Sequence, residues 1–242
     1  MKRSYRAIRS RLRRIYDRIF FFLTDTLGFD RWWRAPHQKH TLDEKLEKYL
    51  DFQNGVFVEL GANDGFTQSN TRYLEEGKGW SGVLVEPIPE LYKRAKRRRR
   101  KAKTYQSACV PFGFSQDAIE VMYANLMSYI PGALKDTQTE QKHLDDAVRV
   151  QKNIQPYLIK VPARTLTSIL IEAQITQIDF LSLDVEGFEA DVLRGLDFER
   201  FAPRFMLIEA RFADDVEAVL GERYDLVEQM AKYDRFYRRL AK

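Results

Sequence analysis

The sequence predicts an α/β fold: a mostly parallel, doubly wound sheet with helices on both faces and an antiparallel hairpin at its end. Short apolar segments alternate with amphipathic ones from residue 56 to residue 210, and the apolar segments lack a polar face, as strands buried on both sides do. Two later strand-like segments, YDLVEQ (224–229) and DRFYRRL (234–240), are separated only by MAKY, which predicts the hairpin. With 44% apolar residues, the 242-residue chain can bury a substantial core.

The elements of the predicted main domain, residues 41–242, follow in alternation. A first helix is predicted at 41–49, where Thr41 and Glu44 have the spacing of a capping box. The predicted strands are 56–60, 82–86, 104–110, 178–184 and 204–210. The predicted helices between them are 68–76, 89–101, 165–173 and 188–196. Residues 111–163 break the alternation with one short strand-like piece and a polar stretch, so they are predicted to be an insertion over the carboxyl edge of the sheet, where substrate-binding segments are common.

Residues 1–40 are predicted to form a basic amphipathic helix outside the main domain. They carry eleven Lys or Arg and three Asp, a net charge of +8, whereas the remaining residues carry 29 basic and 32 acidic side chains. The apolar run at 19–23 is much shorter than the roughly 20 residues that span a bilayer. Two interpretations stay open: residues 1–35, which include Trp32 and Trp33, bind an anionic membrane surface, or the helix docks on protein.

A second basic stretch and the cysteine content bear on partners and location. The run KRAKRRRRKAK (93–103) falls at the end of a predicted helix, so it is expected to be a solvated helix end, with binding of phosphate polymers as the alternative. Cys109 is the single cysteine, which excludes an internal disulfide. The sequence therefore predicts a cytoplasmic protein, peripheral at the inner membrane surface if residues 1–35 bind lipid.

The stretch VFVELGANDG (56–65) is a predicted strand followed by a glycine-rich turn, the position where open α/β sheets bind ligands. Gly61 and Gly65 allow the backbone to approach a ligand, but Asn63 stands where the dinucleotide fingerprint has its second glycine. This disfavours a pyrophosphate cradle. A nucleoside that carries an ammonium group and no phosphate fits better, with Glu59 facing the cation, and S-adenosylmethionine is such a ligand.

The next predicted strand supplies a second test of this interpretation. Glu86 lies at its end, 21 residues after Gly65, where a carboxylate accepts hydrogen bonds from ribose hydroxyls. The alternative is that Glu86 is an acid that precedes Pro87 and caps a helix. The order of strand, glycine turn, helix, strand and acid favours the ribose contact.

Four segments together resemble the FkbM family of S-adenosylmethionine-dependent methyltransferases: VFVELGANDGFTQSNTRYLEE, GWSGVLVEPIPELYKR, VPARTLTSILIEAQITQIDFLSLDVEGFEADVLRGLDF and FMLIEAR. The resemblance covers residues 42–240 and implies a Rossmann-like class I methyltransferase fold with a seven-stranded sheet. It implies methyl transfer mostly to hydroxyl oxygens of sugars or polyketide-like natural products. It also implies cofactor-binding positions along the chain: Glu59, Gly61, Asn63 and Gly65 at the methionine end, Glu86 at the ribose, Ser107 and Ala108 near the adenine, and Asp184 beside the sulfonium.

Asp184, Glu186 and Glu209 are predicted to gather at the mouth of the sheet as catalytic groups. Methyl transfer is an in-line displacement, so the protein must align the reactants and remove the hydroxyl proton. A carboxylate with a raised pKa could remove it, or the three acids could hold a divalent cation that acidifies the alcohol. Glu186 could instead only stabilise a helix start. His143, in the insertion, could also reach the site.

These features favour an O-methyltransferase that acts on a small-molecule or glycan acceptor. A nucleic-acid methyltransferase is the alternative within the same fold, favoured by the basic run but not by the net charge of −3 on residues 41–242. A non-catalytic, membrane-associated binding protein is the third hypothesis, and the cofactor motif argues against it.

Overall fold

The computed structural model describes residues 42–151 and 154–240. The predicted basic extension at 1–40 and the predicted cap residue Thr41 lie outside the described residues. The elements follow in this order: α1 (Leu42–Glu47), β1 (Val56–Leu60), α2 (Arg72–Lys78), β2 (Ser81–Val85), α3 (Pro89–Arg98), β3 (Ala102–Tyr105), β4 (Ala108–Cys109), β5 (Ala118–Tyr123), α4 (Thr137–Val150), β6 (Tyr157–Arg164), α5 (Leu166–Glu172), β7 (Phe180–Leu183), α6 (Glu189–Arg194), α7 (Phe198–Phe201), β8 (Phe205–Glu209), α8 (Ala213–Leu220), β9 (Tyr224–Gln229) and β10 (Asp234–Arg239).

Seven strands form the main sheet in the order β3, β2, β1, β7, β8, β10, β9. Neighbours from β3 to β8 are parallel, whereas β10 is antiparallel to both β8 and β9. The predicted fold class, with its terminal hairpin, is confirmed. The strand order reverses between β1 and β7, so the carboxyl ends of these two strands border the crevice where such sheets bind ligands.

Apolar clusters cover both faces of this sheet, as the sequence predicts. Along β1, Phe57 packs with α1, α2 and α3 on one face, while Val58 and Leu60 pack with α5, α6 and α8 on the other. Alternate residues of a strand point to opposite faces, and here each face meets helices. None of the helices in the described ranges is long and apolar enough to cross a lipid bilayer.

The predicted strand 104–110 is wrong as a single element. β3 ends at Tyr105 because its partner β2 ends at Val85, directly opposite. The chain then turns at Ser107, whose hydroxyl donates to Pro162 O at 3.2 Å, and β4 joins a second sheet.

The predicted insertion at 111–163 contains more regular structure than its sequence suggests. β5 and β6 form an antiparallel pair, and with β4 they make a three-stranded sheet in the order β4, β6, β5. Helix α4, which the sequence analysis missed, is mostly polar and buries only His143 and Ala147. Because α4 buries so little apolar surface, its sequence gives little sign of a helix. The sequence analysis also missed α8.

Two predicted helices differ most from the structure at one end. The helix predicted at 68–76 begins at Arg72, because the preceding residues form an irregular loop in which Gln68 has a φ of 57°. The helix predicted at 89–101 ends at Arg98. Both changes free residues whose side chains then support the turn after β1.

Candidate active site

A cleft of about 840 Å³, partly open to solvent, lies at the carboxyl ends of β1, β2 and β7. The second sheet and the segment that follows β5 cover one side of the cleft with Val121, Asn125, Ser128 and Tyr129. Seven of the predicted site residues line it: Gly61, Asn63, Glu86, Ser107, Ala108, Asp184 and Glu186.

The turn after β1 is shaped by the close approach of β7. Gly61 has a φ of 76°, and a Cβ atom there would lie 1.9 Å from the carbonyl oxygen of Asp184. Only glycine meets both conditions. Asn63 also has positive φ, and its side chain accepts from the Asp64 N–H at 2.8 Å and donates to Asn125 Oδ1 at 3.4 Å. Asn63 thereby joins the turn to the residues that cover the cleft.

Glu86 follows β2 and is almost completely buried at the floor of the cleft. Its carboxylate accepts hydrogen bonds from the Asn63 N–H at 2.8 Å and the Ile88 N–H at 2.9 Å. Burial nevertheless raises the pKa of Glu86 to about 7, because these two bonds only partly replace its hydration. One carboxylate therefore holds the β1 turn and faces the cleft.

Asp184, Glu186 and Glu209 form what we call the carboxylate cluster. One oxygen atom from each lies within 4.8 Å of the others, as the sequence predicts for acids at the ends of neighbouring strands. Asp184 is exposed toward the cleft, but protein surrounds it on its other sides. Poor hydration and a hydrogen bond with Glu209 raise the pKa of Asp184 well above its usual value. Glu209 does not itself line the cleft.

Arg211, which the sequence analysis did not single out, is the cation of this cluster. It forms an ion pair with Glu186, and its Nη2 atom lies 3.3 Å from Glu209 Oε1. Burial and the charge of Glu209 raise the pKa of Glu186 to about 8, although Arg211 opposes this rise. His143 Nε2 lies 3.9 Å from Glu186 Oε2 and 3.0 Å from Met127 O, and burial lowers the pKa of His143.

The charges around the cleft decide which kind of ligand fits. Among the described residues that line it, none is Lys, Arg or His, whereas Glu86, Asp184 and Glu186 are acids. A pyrophosphate would meet no cation there. S-adenosylmethionine carries a sulfonium and an ammonium group and no phosphate, so it suits this lining. The contacts of Glu86 with the ribose and of Asp184 with the sulfonium stay predictions.

Comparison with known families decides the assignment. A family model of the methyltransferase FkbM domain matches residues 59–236. The chain belongs to this family. The predicted family of methyltransferases and its cofactor, S-adenosylmethionine, are confirmed.

Solved methyltransferase structures show a limited similarity to this FkbM domain. FkbM from Methylobacillus flagellatus KT is 15% identical with a TM-score of 0.47, and the match covers 79% of this chain and 45% of that one. An RNA methyltransferase from Salinibacter ruber in complex with S-adenosyl-L-homocysteine is 15% identical with a TM-score of 0.39, covering 84% and 92%. Fibrillarin from Aeropyrum pernix with bound S-adenosyl-L-methionine is 11% identical with a TM-score of 0.41, covering 78% and 67%. No curated protein matches the chain.

Glu59 of the FkbM domain lies below the cleft and does not line it. Its carboxylate accepts hydrogen bonds from Ser69 Oγ at 2.9 Å, the Asn70 N–H at 3.0 Å and Thr71 Oγ1 at 2.5 Å. The expected contact of Glu59 with the cofactor cation is therefore corrected: its oxygens hold the loop before α2. Ser69 does line the cleft, so Glu59 acts on the site through it.

Arg99 completes this support from the other side. It is 2% exposed and donates to Glu75 at 2.7 Å, Ser69 Oγ at 2.8 Å and Thr71 Oγ1 at 2.9 Å, and its Nη1 lies 3.6 Å from Glu59 Oε2. Sequence analysis missed it because it stands inside an eleven-residue stretch, 93–103, in which nine residues are basic.

Gly65 packs against α3 rather than lining the cleft. A Cβ atom there would lie 2.9 Å from Arg99 Cγ and 3.0 Å from Ala95 Cα. Its neighbour Asp64 pairs with Arg98 at 2.6 Å. Burial acts to raise the pKa of Asp64, but the N–H of Thr67 and the charge of Arg98 outweigh it and hold that pKa below its usual value.

Glu189 supports the loop after β7 in the same way. It is almost completely buried and accepts hydrogen bonds from the Gly187 N–H at 2.9 Å and the Val185 N–H at 3.3 Å. Burial raises the pKa of Glu189 to about 7. The loop that carries Asp184 and Glu186 is therefore fixed by a buried acid that the sequence analysis did not name.

Proposed function

We propose that this FkbM domain transfers a methyl group to a hydroxyl oxygen of a sugar, a glycan or a related polyhydroxylated natural product. The proposal depends on the position of Asp184. This carboxylate has a raised pKa, lines the cleft and belongs to the carboxylate cluster. Bound S-adenosylmethionine supplies an activated methyl group. An alcohol must lose its proton as it attacks, and in this proposal Asp184 accepts that proton.

The rest of the carboxylate cluster tunes Asp184. Burial comes first, and the hydrogen bond and charge of Glu209 add to it, so the pKa of Asp184 is raised and its carboxylate binds a proton more tightly than an ordinary aspartate does. Arg211 balances part of this charge through Glu186 and Glu209. The same three acids could hold a divalent cation, but the guanidinium already lies against two of them, which favours a general base.

A second hollow supports a polyhydroxylated acceptor. It has a volume of about 560 Å³, part of it open solvent, and shares Phe188 with the cofactor cleft. Two ion pairs border it, Lys135 with Asp215 at 2.5 Å and Arg194 with Asp191 at 2.9 Å. Such pairs offer donors and acceptors side by side, as vicinal hydroxyl groups require.

Labelled methyl transfer tests the proposal. Purified protein with labelled S-adenosylmethionine is offered cell glycans and RNA separately, and label is expected in the glycans. Asp184→Asn is expected to lower turnover by about 10²- to 10⁴-fold, the usual contribution of a general base. Asp145→Asn, at an exposed acid of α4, is the matched control and should keep the wild-type rate.

Three results would contradict parts of this proposal. Label only in RNA would refute the sugar assignment and support a nucleic-acid methyltransferase. Near-normal turnover by Asp184→Asn would remove Asp184 as the base. Absence of calorimetric affinity for S-adenosylmethionine would favour a non-catalytic binding protein.

A further inference from the structure

Helix α3 presents one basic face to solvent. Lys93, Lys96 and Arg97 are exposed, and Arg100 continues their row just beyond the helix end, at the i, i+3, i+4, i+7 spacing of a single helical face. The opposite side of α3 is turned inward. We call these four residues the α3 basic face.

Carboxylates neutralise little of this face. Lys93 pairs with Glu90 at 3.0 Å, an exposed pair within the same helix. Within the described ranges, no carboxylate lies at ion-pair distance from the other three members or from three further exposed cations nearby, Arg94, Lys101 and Lys103. The surface therefore has a strong net positive charge.

The basic run divides into two groups with different tasks. Arg98 and Arg99 turn inward and support the turn after β1 through Asp64 and Glu75. No member of the α3 basic face lines the cleft. Support of the active site thus accounts for two arginines and leaves the exposed cations unexplained.

We propose that the α3 basic face binds the anionic headgroups of a lipid membrane. A flat anionic surface can meet a whole helical face at once, and each Lys or Arg near it raises binding about fivefold. Charge complementarity supports this partner, and the sequence supplies a second argument: residues 1–40 carry a net charge of +8 with Trp32 and Trp33, a composition typical of interfacial segments.

A single-stranded nucleic acid fits the face less well. Such ligands bind where aromatic side chains stack on successive bases between the cations. Tyr92 is the aromatic residue within the basic helix, and its hydroxyl accepts from Lys96 at 3.2 Å. Phosphate groups on a membrane need no stacking partner.

Vesicle sedimentation of the full-length chain tests this inference. The triple variant Lys96→Gln, Arg97→Gln, Arg100→Gln is expected to bind vesicles that contain phosphatidylglycerol on the order of 100-fold more weakly than wild type, from about fivefold per cation. Wild type is expected to bind phosphatidylcholine vesicles weakly and to lose binding to anionic vesicles as salt rises.

A matched variant controls for total charge. Lys142→Gln, Lys160→Gln, Lys232→Gln removes three exposed cations from other surfaces and should bind like wild type. Equal binding by the two triple variants would overturn the proposal, since the face would then have no special role. Binding of RNA with no binding to anionic vesicles would also overturn it. Affinity for S-adenosylmethionine, measured on each variant, verifies folding and separates this result from any failure of the proposed methyl transfer.

Discussion

Replacement of Arg99 by methionine tests whether its buried ion pairs with Glu75 and Glu59 hold the turn after β1 in place. The guanidinium is 2% exposed and lies between two buried acids, 2.7 Å from Glu75 and 3.6 Å from Glu59. Methionine fills a similar length of side chain but offers no donor. The variant leaves both carboxylates buried without their cation, and Ser69 and Thr71 lose a hydrogen-bond donor each.

The expected cost follows from this geometry. Removal of one partner from a buried ion pair costs about 3–5 kcal/mol, because the remaining charge stays desolvated. A domain of this size loses about 2–4 °C of melting temperature per kcal/mol, so Arg99→Met should melt about 6–20 °C lower. Affinity for S-adenosylmethionine should also fall, since Ser69 lines the cleft.

Urea denaturation followed by circular dichroism measures the loss of unfolding free energy, and calorimetry measures cofactor affinity. Arg100→Met is the matched control: the same change one residue later, at an exposed side chain, should stay within about 0.5 kcal/mol of wild type. A loss below about 1 kcal/mol for Arg99→Met would refute the reasoning, because no uncompensated buried charge would then exist.

Three further predictions concern the turn, the pH dependence and metal use. Gly61→Ala should cost more than about 2 kcal/mol of unfolding free energy, because its Cβ would overlap the carbonyl oxygen of Asp184. Gly113 also has positive φ but lies in open space, so Gly113→Ala should cost only the backbone strain of about 1–2 kcal/mol. Affinity for S-adenosylmethionine should rise as Glu86 ionises near pH 7. The raised pKa of Glu86 also contributes stability that is complete below its unfolded pKa of about 4.5 and is lost as pH rises through about 7. Glu86→Gln should remove the affinity trend in calorimetry and reduce, without abolishing, the stability trend in urea titrations, because Glu186 and Glu189 have raised pKa values as well. Methyl transfer should survive EDTA, because Arg211 already balances the carboxylate cluster; activity lost to EDTA and restored by Mg²⁺ would assign that cluster to a metal.

Local sequence predicts most of the fold because periodicity reports how each element is buried. The alternation of apolar and amphipathic segments predicts the parallel sheet, and the segments around MAKY predict the β9–β10 hairpin. The carboxylate cluster is also predictable, since parallel strands end at one edge of a sheet. Helix α4 escaped prediction because it buries so little that its pattern is that of a polar loop.

The roles of individual charged residues are decided by tertiary structure alone. The run at 93–103 predicts cations at a helix end, but not that Arg99 is buried while Arg100 is exposed. Likewise, the sequence places a carboxylate at Glu59. It does not show that this carboxylate accepts hydrogen bonds from the loop before α2 and pairs with Arg99. The chain itself therefore determined the fold class, the family and the residue types at the sheet edge. Tertiary structure decides which acids line the cleft and which support the loops around it. This depends on contacts between residues 10 to 30 positions apart, and those contacts form only when the helices pack.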